Sequence, residues 1–135
     1  MFKDVDKIAT GFLGLPFIPG GRSLEGVDCF GLAILVARQC GVELPDYLPS
    51  PDDLTESRTV LATEYHQLIE QVDNENQADL VSFEKESGSL HLGIVLPRRR
   101  FLHTTTNSGT LISKLHEQPW CRRKPAFYLV KRSAI

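Results

Sequence analysis

The side chains of this chain best suited to covalent chemistry are three cysteines, Cys29, Cys40 and Cys121, and four histidines, His66, His91, His103 and His116. Cys29 follows Asp28, a good helix N-cap, at the head of an apolar stretch that runs to Gln39. A thiol there meets unpaired backbone N–H groups and the positive end of a helix dipole. It is expected to ionise more readily than an ordinary cysteine and to be the most reactive of the three. The adjacent Asp28 carboxylate opposes that shift, so an imidazole must help. His91 and His103 are twelve residues apart with Pro97 at the midpoint. A hairpin with a three- or five-residue loop centred on Pro97 sets them directly opposite, Cβ atoms about 5 Å apart. A register slip of two positions leaves them diagonal neighbours on the same face, with Leu92, Ile94 and Leu102 on the other. A thiol, a base and a second polar ring to orient the base are the parts of nucleophilic catalysis. The blander alternatives are a small buried hydrophobe for Cys29 and two unrelated strand residues for the histidines.

The elements that must position these groups follow from the pattern. Val5, Ile8, Ala9 and Phe12 fall at helical spacing and predict a short first helix ended by Gly14 and Pro16. Cys29 to Gln39 predicts a buried helix with Gly41 at its C-terminal cap. Leu54, Leu61, Tyr65, Leu68 and Val72 predict a third, amphipathic helix. Strands are predicted at Ala78 to Phe83, Leu90 to Leu96, Arg100 to Thr105, Thr110 to Leu115 and Phe127 to Lys131. Helices first and a meander second imply an α+β fold. The N-terminal helices pack on one side of an antiparallel sheet of about five strands. Cys29 and Cys40 on one helix stand about 16 Å apart, which excludes a bridge between them.

Composition narrows the function classes. The 135 residues form one expected domain, 1–135, long enough for an ordinary core. A formal charge of −2 argues against a general nucleic-acid binder. No apolar run is long enough to insert in a membrane, and the acidic start Met1 to Asp6 is unlike a secretory signal. Zinc held by Cys29 and the two histidines is chemically conceivable, but no Cys-x-x-Cys or His-x-x-x-His spacing supports it, so neither metal nor cofactor is expected. Arg98-Arg99-Arg100 and Arg122-Arg123-Lys124 read as solvated turns, and Cys40 and Cys121 as packing residues.

Six segments then stand together: Gly14-Leu15-Pro16-Phe17 with Gly20-Gly21, Gly26-Val27-Asp28-Cys29-Phe30-Gly31-Leu32, Gly41-Val42-Glu43-Leu44-Pro45, Asp79-Leu80-Val81-Ser82-Phe83, His91-Leu92-Gly93-Ile94-Val95 and Phe101-Leu102-His103. In residues and order, through nearly the whole chain, they resemble the NlpC-type family of papain-like cell-wall cysteine peptidases. The resemblance implies Cys29 as nucleophile, His91 as general base and His103 as the orienting residue. It implies as substrate a peptidoglycan stem peptide, often cleaved between D-γ-glutamate and a diamino acid. Phe17 stands where many members carry Tyr, whose hydroxyl helps polarise the scissile carbonyl, and Phe30 where many carry Ser. Backbone N–H groups near Cys29 are left as the oxyanion donors. Phe17, Asp28 and Phe30 are the expected substrate contacts.

The aromatic after Asp-Cys, the Gly41 to Tyr47 stretch and Trp120-Cys121-Arg122-Arg123 look more like the phage and prophage tail-associated branch. That resemblance implies phage tail-tip or hub proteins as partners and the virion tail as location, with synthesis in the host cytoplasm and action in the periplasm or cell wall. The alternative is a structural tail-tip or tail-assembly protein that keeps the fold with little or no activity, a reading fed by Phe17 and Phe30.

Overall fold

The computed structural model describes residues 1–46, 67–85 and 90–131. Two helices, α1 (Val5–Thr10) and α2 (Cys29–Gln39), flank a two-stranded ribbon of β1 (Arg22–Ser23) and β2 (Gly26–Val27). Six further strands follow: β3 (Ile69–Val72), β4 (Leu80–Glu84), β5 (Leu90–Leu96), β6 (Arg100–Thr105), β7 (Gly109–Lys114) and β8 (Ala126–Val130). They form one sheet in the order β3-β8-β4-β5-β6-β7, every neighbouring pair antiparallel. The fold is α+β, as expected, with six strands in the main sheet instead of about five.

The sheet has two covered faces. On one, Leu92, Ile94, Leu96 and Leu102 pack against Phe2, Val5, Phe12, Leu32 and Val36 from the helical segment. On the other, Val81, Phe83, Val95 and Phe101 form a second cluster with Trp120 and Phe127. Every residue of β5 is buried as a result. Its nearly unbroken apolar run is the pattern of a strand covered on both sides.

The ends of α2 follow from local sequence. Asp28 is extended, at φ −94° and ψ −176°, and its carboxylate accepts from the Gly31 N–H at 2.8 Å. At the other end Gly41 takes φ +87°, open to it because it lacks a Cβ. Its N–H reaches the Arg38 carbonyl while the Val42 N–H reaches Ala37. This is a full Schellman closure of the last turn.

The predicted third helix falls mostly on residues 47–66, outside the described residues, but its end is corrected. Ile69–Val72 is a strand, pairing Ile69 with Val130 and Val72 with Phe127. Leu68 and Val72 suit a helix spacing, yet the short stretch Ile69-Glu70-Gln71-Val72 beside the open edge of β8 buries Ile69 and gains a ladder of backbone hydrogen bonds as a strand.

Candidate active site

The histidine hairpin is in place with its register shifted by two from the opposed arrangement. Ile94 pairs with Leu102 and Leu96 with Arg100, so the turn is Pro97-Arg98-Arg99, centred on Arg98. Proline cannot take positive φ, so the left-handed pair falls on Arg98 and Arg99, at φ 65° and 58°. Continuing that register puts His103 against Gly93 and makes His91 its diagonal neighbour. A Cβ on Gly93 would come within 2.8 Å of the Phe101 ring. Glycine there lets Phe101 lie along the strand and tilt against the His103 ring, centroids 4.4 Å apart.

His91 and His103 are 2% and 1% exposed. Their rings stand nearly perpendicular, at 88°, and His91 Nε2 lies 2.7 Å from His103 Nδ1. His103 Nε2 in turn lies 2.7 Å from the Ser113 Oγ on β7. If His91 Nε2–H donates to His103, and His103 Nε2–H donates to Ser113, His91 Nδ1 keeps its lone pair. His91 Nδ1 makes no hydrogen bond among the described residues. Burial pushes the His91 pKa well below its ordinary 6.5, with His103, Lys85 and Arg123 adding to the effect. Burial and Lys85 bring His103 down to about 4. Both rings are therefore neutral near pH 7.

Cys29, also 2% exposed, is the first residue of α2, which packs on β5. The Leu92 and Phe30 backbone N–H groups favour its thiolate, Leu92 being the β5 neighbour of His91. Lys85 acts electrostatically on Cys29, His91 and His103 alike, so one half-buried cation is felt by all three. The expected ease of ionisation is corrected. Burial drives the thiol up to about 12, and the Asp28 charge adds to it against the backbone donors. Desolvation outweighs the helix terminus.

Of the expected substrate contacts, only Phe17 keeps partial exposure, its backbone bridged to Val27 just ahead of Asp28. Asp28 and Phe30 are turned inward. The Asp28 carboxylate is used up by Gly31 N–H, Gly20 N–H at 3.0 Å and Arg22 Nη1 at 2.7 Å, and Arg22 reaches on to Asp46 at 2.8 Å. Phe30 is 2% exposed and lines an apolar cavity with Ile34, Leu44, Ile69 and Leu80. The residue after the cysteine lies on the core side of the helix, so an aromatic ring there is packed instead of presented.

Sequence reasoning missed Ser113 and Trp120. Ser113 had no signal beyond its place in a strand. Trp120 was legible as an aromatic but stands far from the histidines in the chain, and its basic neighbours read as solvent-facing. Among the described residues no group of His, Cys, Asp or Glu is arranged to hold a metal ion, and no helix is long and apolar enough to cross a membrane.

The described site thus has a thiol at the head of α2 and, on the adjacent hairpin, a buried imidazole from each of β5 and β6, the residue types of thiol-dependent hydrolysis on an α+β scaffold. Residues 14–127 match the NlpC/P60 family, and the chain belongs to that family. It is 31% identical over 113 residues to the murein DD-endopeptidase MepS/murein LD-carboxypeptidase of Escherichia coli K12, covering 82% of this chain and 53% of that protein. The probable endopeptidase NlpC of the same organism is 30% identical over 112 residues, covering 79% and 64%. The chain thus spans about half to two thirds of the length of these relatives. Among solved structures, an NlpC/P60 family protein from Bacillus cereus superposes with a TM-score of 0.68 at 22% identity, covering 97% of this chain and 41% of that one.

Proposed function

We propose that the chain is a peptidoglycan endopeptidase domain that hydrolyses a stem-peptide amide with Cys29 as nucleophile, His91 as base and His103 as orienting residue. The observation that carries this reading is the 2.7 Å His91–His103 bond between β5 and β6, backed by Ser113 on β7. At rest the proton sits on sulfur and both rings are neutral. As substrate binds, Cys29 passes its proton to His91 Nδ1 while sulfur bonds to the scissile carbonyl carbon. Backbone N–H groups at the head of α2 receive the oxyanion. His91 then returns the proton to the leaving amine, and water, deprotonated by the same ring, releases the acyl group from sulfur. The relatives' names, murein endopeptidase and endopeptidase, support the substrate class.

The tail-tip role belongs to the same proposal and is supported by the aromatic Phe30, the Gly41 to Tyr47 segment and the Trp120 to Arg123 segment. In this reading the domain rides on a phage tail and opens the wall locally. The rival, a structural tail protein without turnover, draws on Phe17, which has no hydroxyl to offer the carbonyl. Incubation with purified sacculi and synthetic stem peptides, read by mass spectrometry, separates the two. Cleavage at one amide that disappears in Cys29→Ala is expected; no product on any wall substrate would leave the structural reading standing.

A further inference from the structure

We propose that Trp120 is a positioning residue of the catalytic unit, its indole holding the plane of the His91 ring and screening the His91–His103 hydrogen bond from water. The inference rests on the Cys29–His91–His103 reading for its catalytic consequence, but its geometry stands alone. Trp120 lies in the short 3₁₀ turn Trp120–Arg122, stacked on His91 with centroids 4.9 Å apart and planes 22° apart. The same indole meets His103 edge-on at 4.8 Å and 79°, so one side chain touches both rings of the pair. Phe83 at 5.2 Å and Phe101 at 5.3 Å close the remaining sides.

The turn itself is held. Glu84 at the end of β4 donates its N–H to the Arg123 carbonyl at 3.1 Å, and the Arg123 guanidinium lies over the indole, 5.0 Å from its centroid. A cation on an indole is attractive and favours this stacked placement of the ring. The consequence is directional. A stacked plane limits the tilt of His91 about its Cβ–Cγ bond, and an apolar wall denies water the chance to replace His103 as partner. Both effects keep Nδ1 aimed in one direction.

Trp120 is the chain's single tryptophan, so its fluorescence reads the stack directly in the unaltered protein. Emission should be quenched as His91 gains a proton, with the same midpoint as the acid limb of hydrolysis. Emission left unchanged in intensity and wavelength by His91→Ala would overturn the proposal. Trp120→Phe and Trp120→Leu then separate a flat ring from mere filling. The Leu variant should lose kcat on the order of 100-fold with KM little changed, and its imidazole N–H signal should exchange faster with water in NMR spectra. The Phe variant should recover most of both. Equal behaviour of Phe and Leu would reduce Trp120 to a space-filler. Should quenching and N–H protection behave as stated while no wall substrate is cleaved, the catalytic reading fails and the positioning of the pair does not.

Discussion

The head of α2 and the aromatic face of the sheet bury polar side chains to nearly the same depth by opposite means. Asp28, 1% exposed, is saturated: two backbone N–H groups and an arginine occupy its carboxylate. His91 and His103 are as deep, yet they hold one bond to each other, one to Ser113, and otherwise only rings. A saturated carboxylate is a fixed part of the frame. A pair of neutral rings with one nitrogen uncommitted remains available for proton transfer. Burial alone therefore does not separate scaffold from chemistry; the unspent bonding capacity does.

The sharpest way to break this contrast is to delete the proposed chemistry without touching the frame. Cys29→Ala and His91→Ala should each cost hydrolysis on the order of 1,000-fold or more, and the double variant no more than either, because the two act as a unit. Thermal melts of Cys29→Ala should stay close to the parent. Turnover surviving in Cys29→Ala would make the thiol as structural as Asp28.

Acid should next separate the two regions. Both imidazoles are depressed in the folded state, so the unfolded chain binds more protons between pH 6.5 and 4. The stability they contribute is fully present above pH 6.5 and drains away as pH falls toward 4. His103 alone accounts for on the order of 3 kcal/mol. Urea melts at stepped pH measure this, and His103→Asn should flatten the slope. Cys29 works in the other direction, its contribution complete below pH 9 and lost toward 12.

Asp28→Ala tests the frame. Loss of the cap and of the Arg22 partner should cost about 2 kcal/mol, seen as a lower denaturation midpoint. Asp28→Asn should recover part of it, since an amide oxygen still accepts from Gly31. An unaltered midpoint in the alanine variant would mean the saturated carboxylate contributes nothing net.

The smallest effects lie at the far end of the imidazole chain. His103→Asn should keep activity within about tenfold of the parent, a neutral amide still orienting His91. Ser113→Ala should cost a few-fold through the freed His103 tautomer. Steady-state rates on a stem peptide decide both, and a dead His103→Asn beside an active His91→Ala would exchange the two histidines' roles.

The same two regions explain what the sequence could and could not disclose. Asp28, Arg22, Gly20 and Gly31 lie within one short stretch, and the helix with its caps at Asp28 and Gly41 was legible from local chemistry. The bounds of β5 and β6 were likewise readable from apolar runs between turn residues. The imidazole pair was half legible. Even spacing put both rings on one face, but Pro97 displaced the turn by one residue, a backbone restriction that face-counting ignores. Trp120 and the strand Ile69–Val72 join the structure through packing or sheet pairing across long chain separations, which local pattern does not encode, while Ser113 meets His103 across the short β6–β7 hairpin but is a residue type with no signal of its own. The ionisation of Cys29 was misjudged for a related reason: the helix terminus is visible in sequence, whereas the depth of burial that overrides it is not.

That burial has a consequence for the chemical durability of the resting molecule. Peroxide and electrophiles attack thiolate far faster than thiol. With Cys29 protonated and 2% exposed, and Cys121 at the surface, the first oxidative or alkylating lesion should fall on Cys121, in the turn next to Trp120, and not on the proposed nucleophile. On the proposed mechanism, a thiol kept protonated until substrate arrives is a natural shelf-stabiliser, sparing the one sulfur whose sulfenic acid would end turnover.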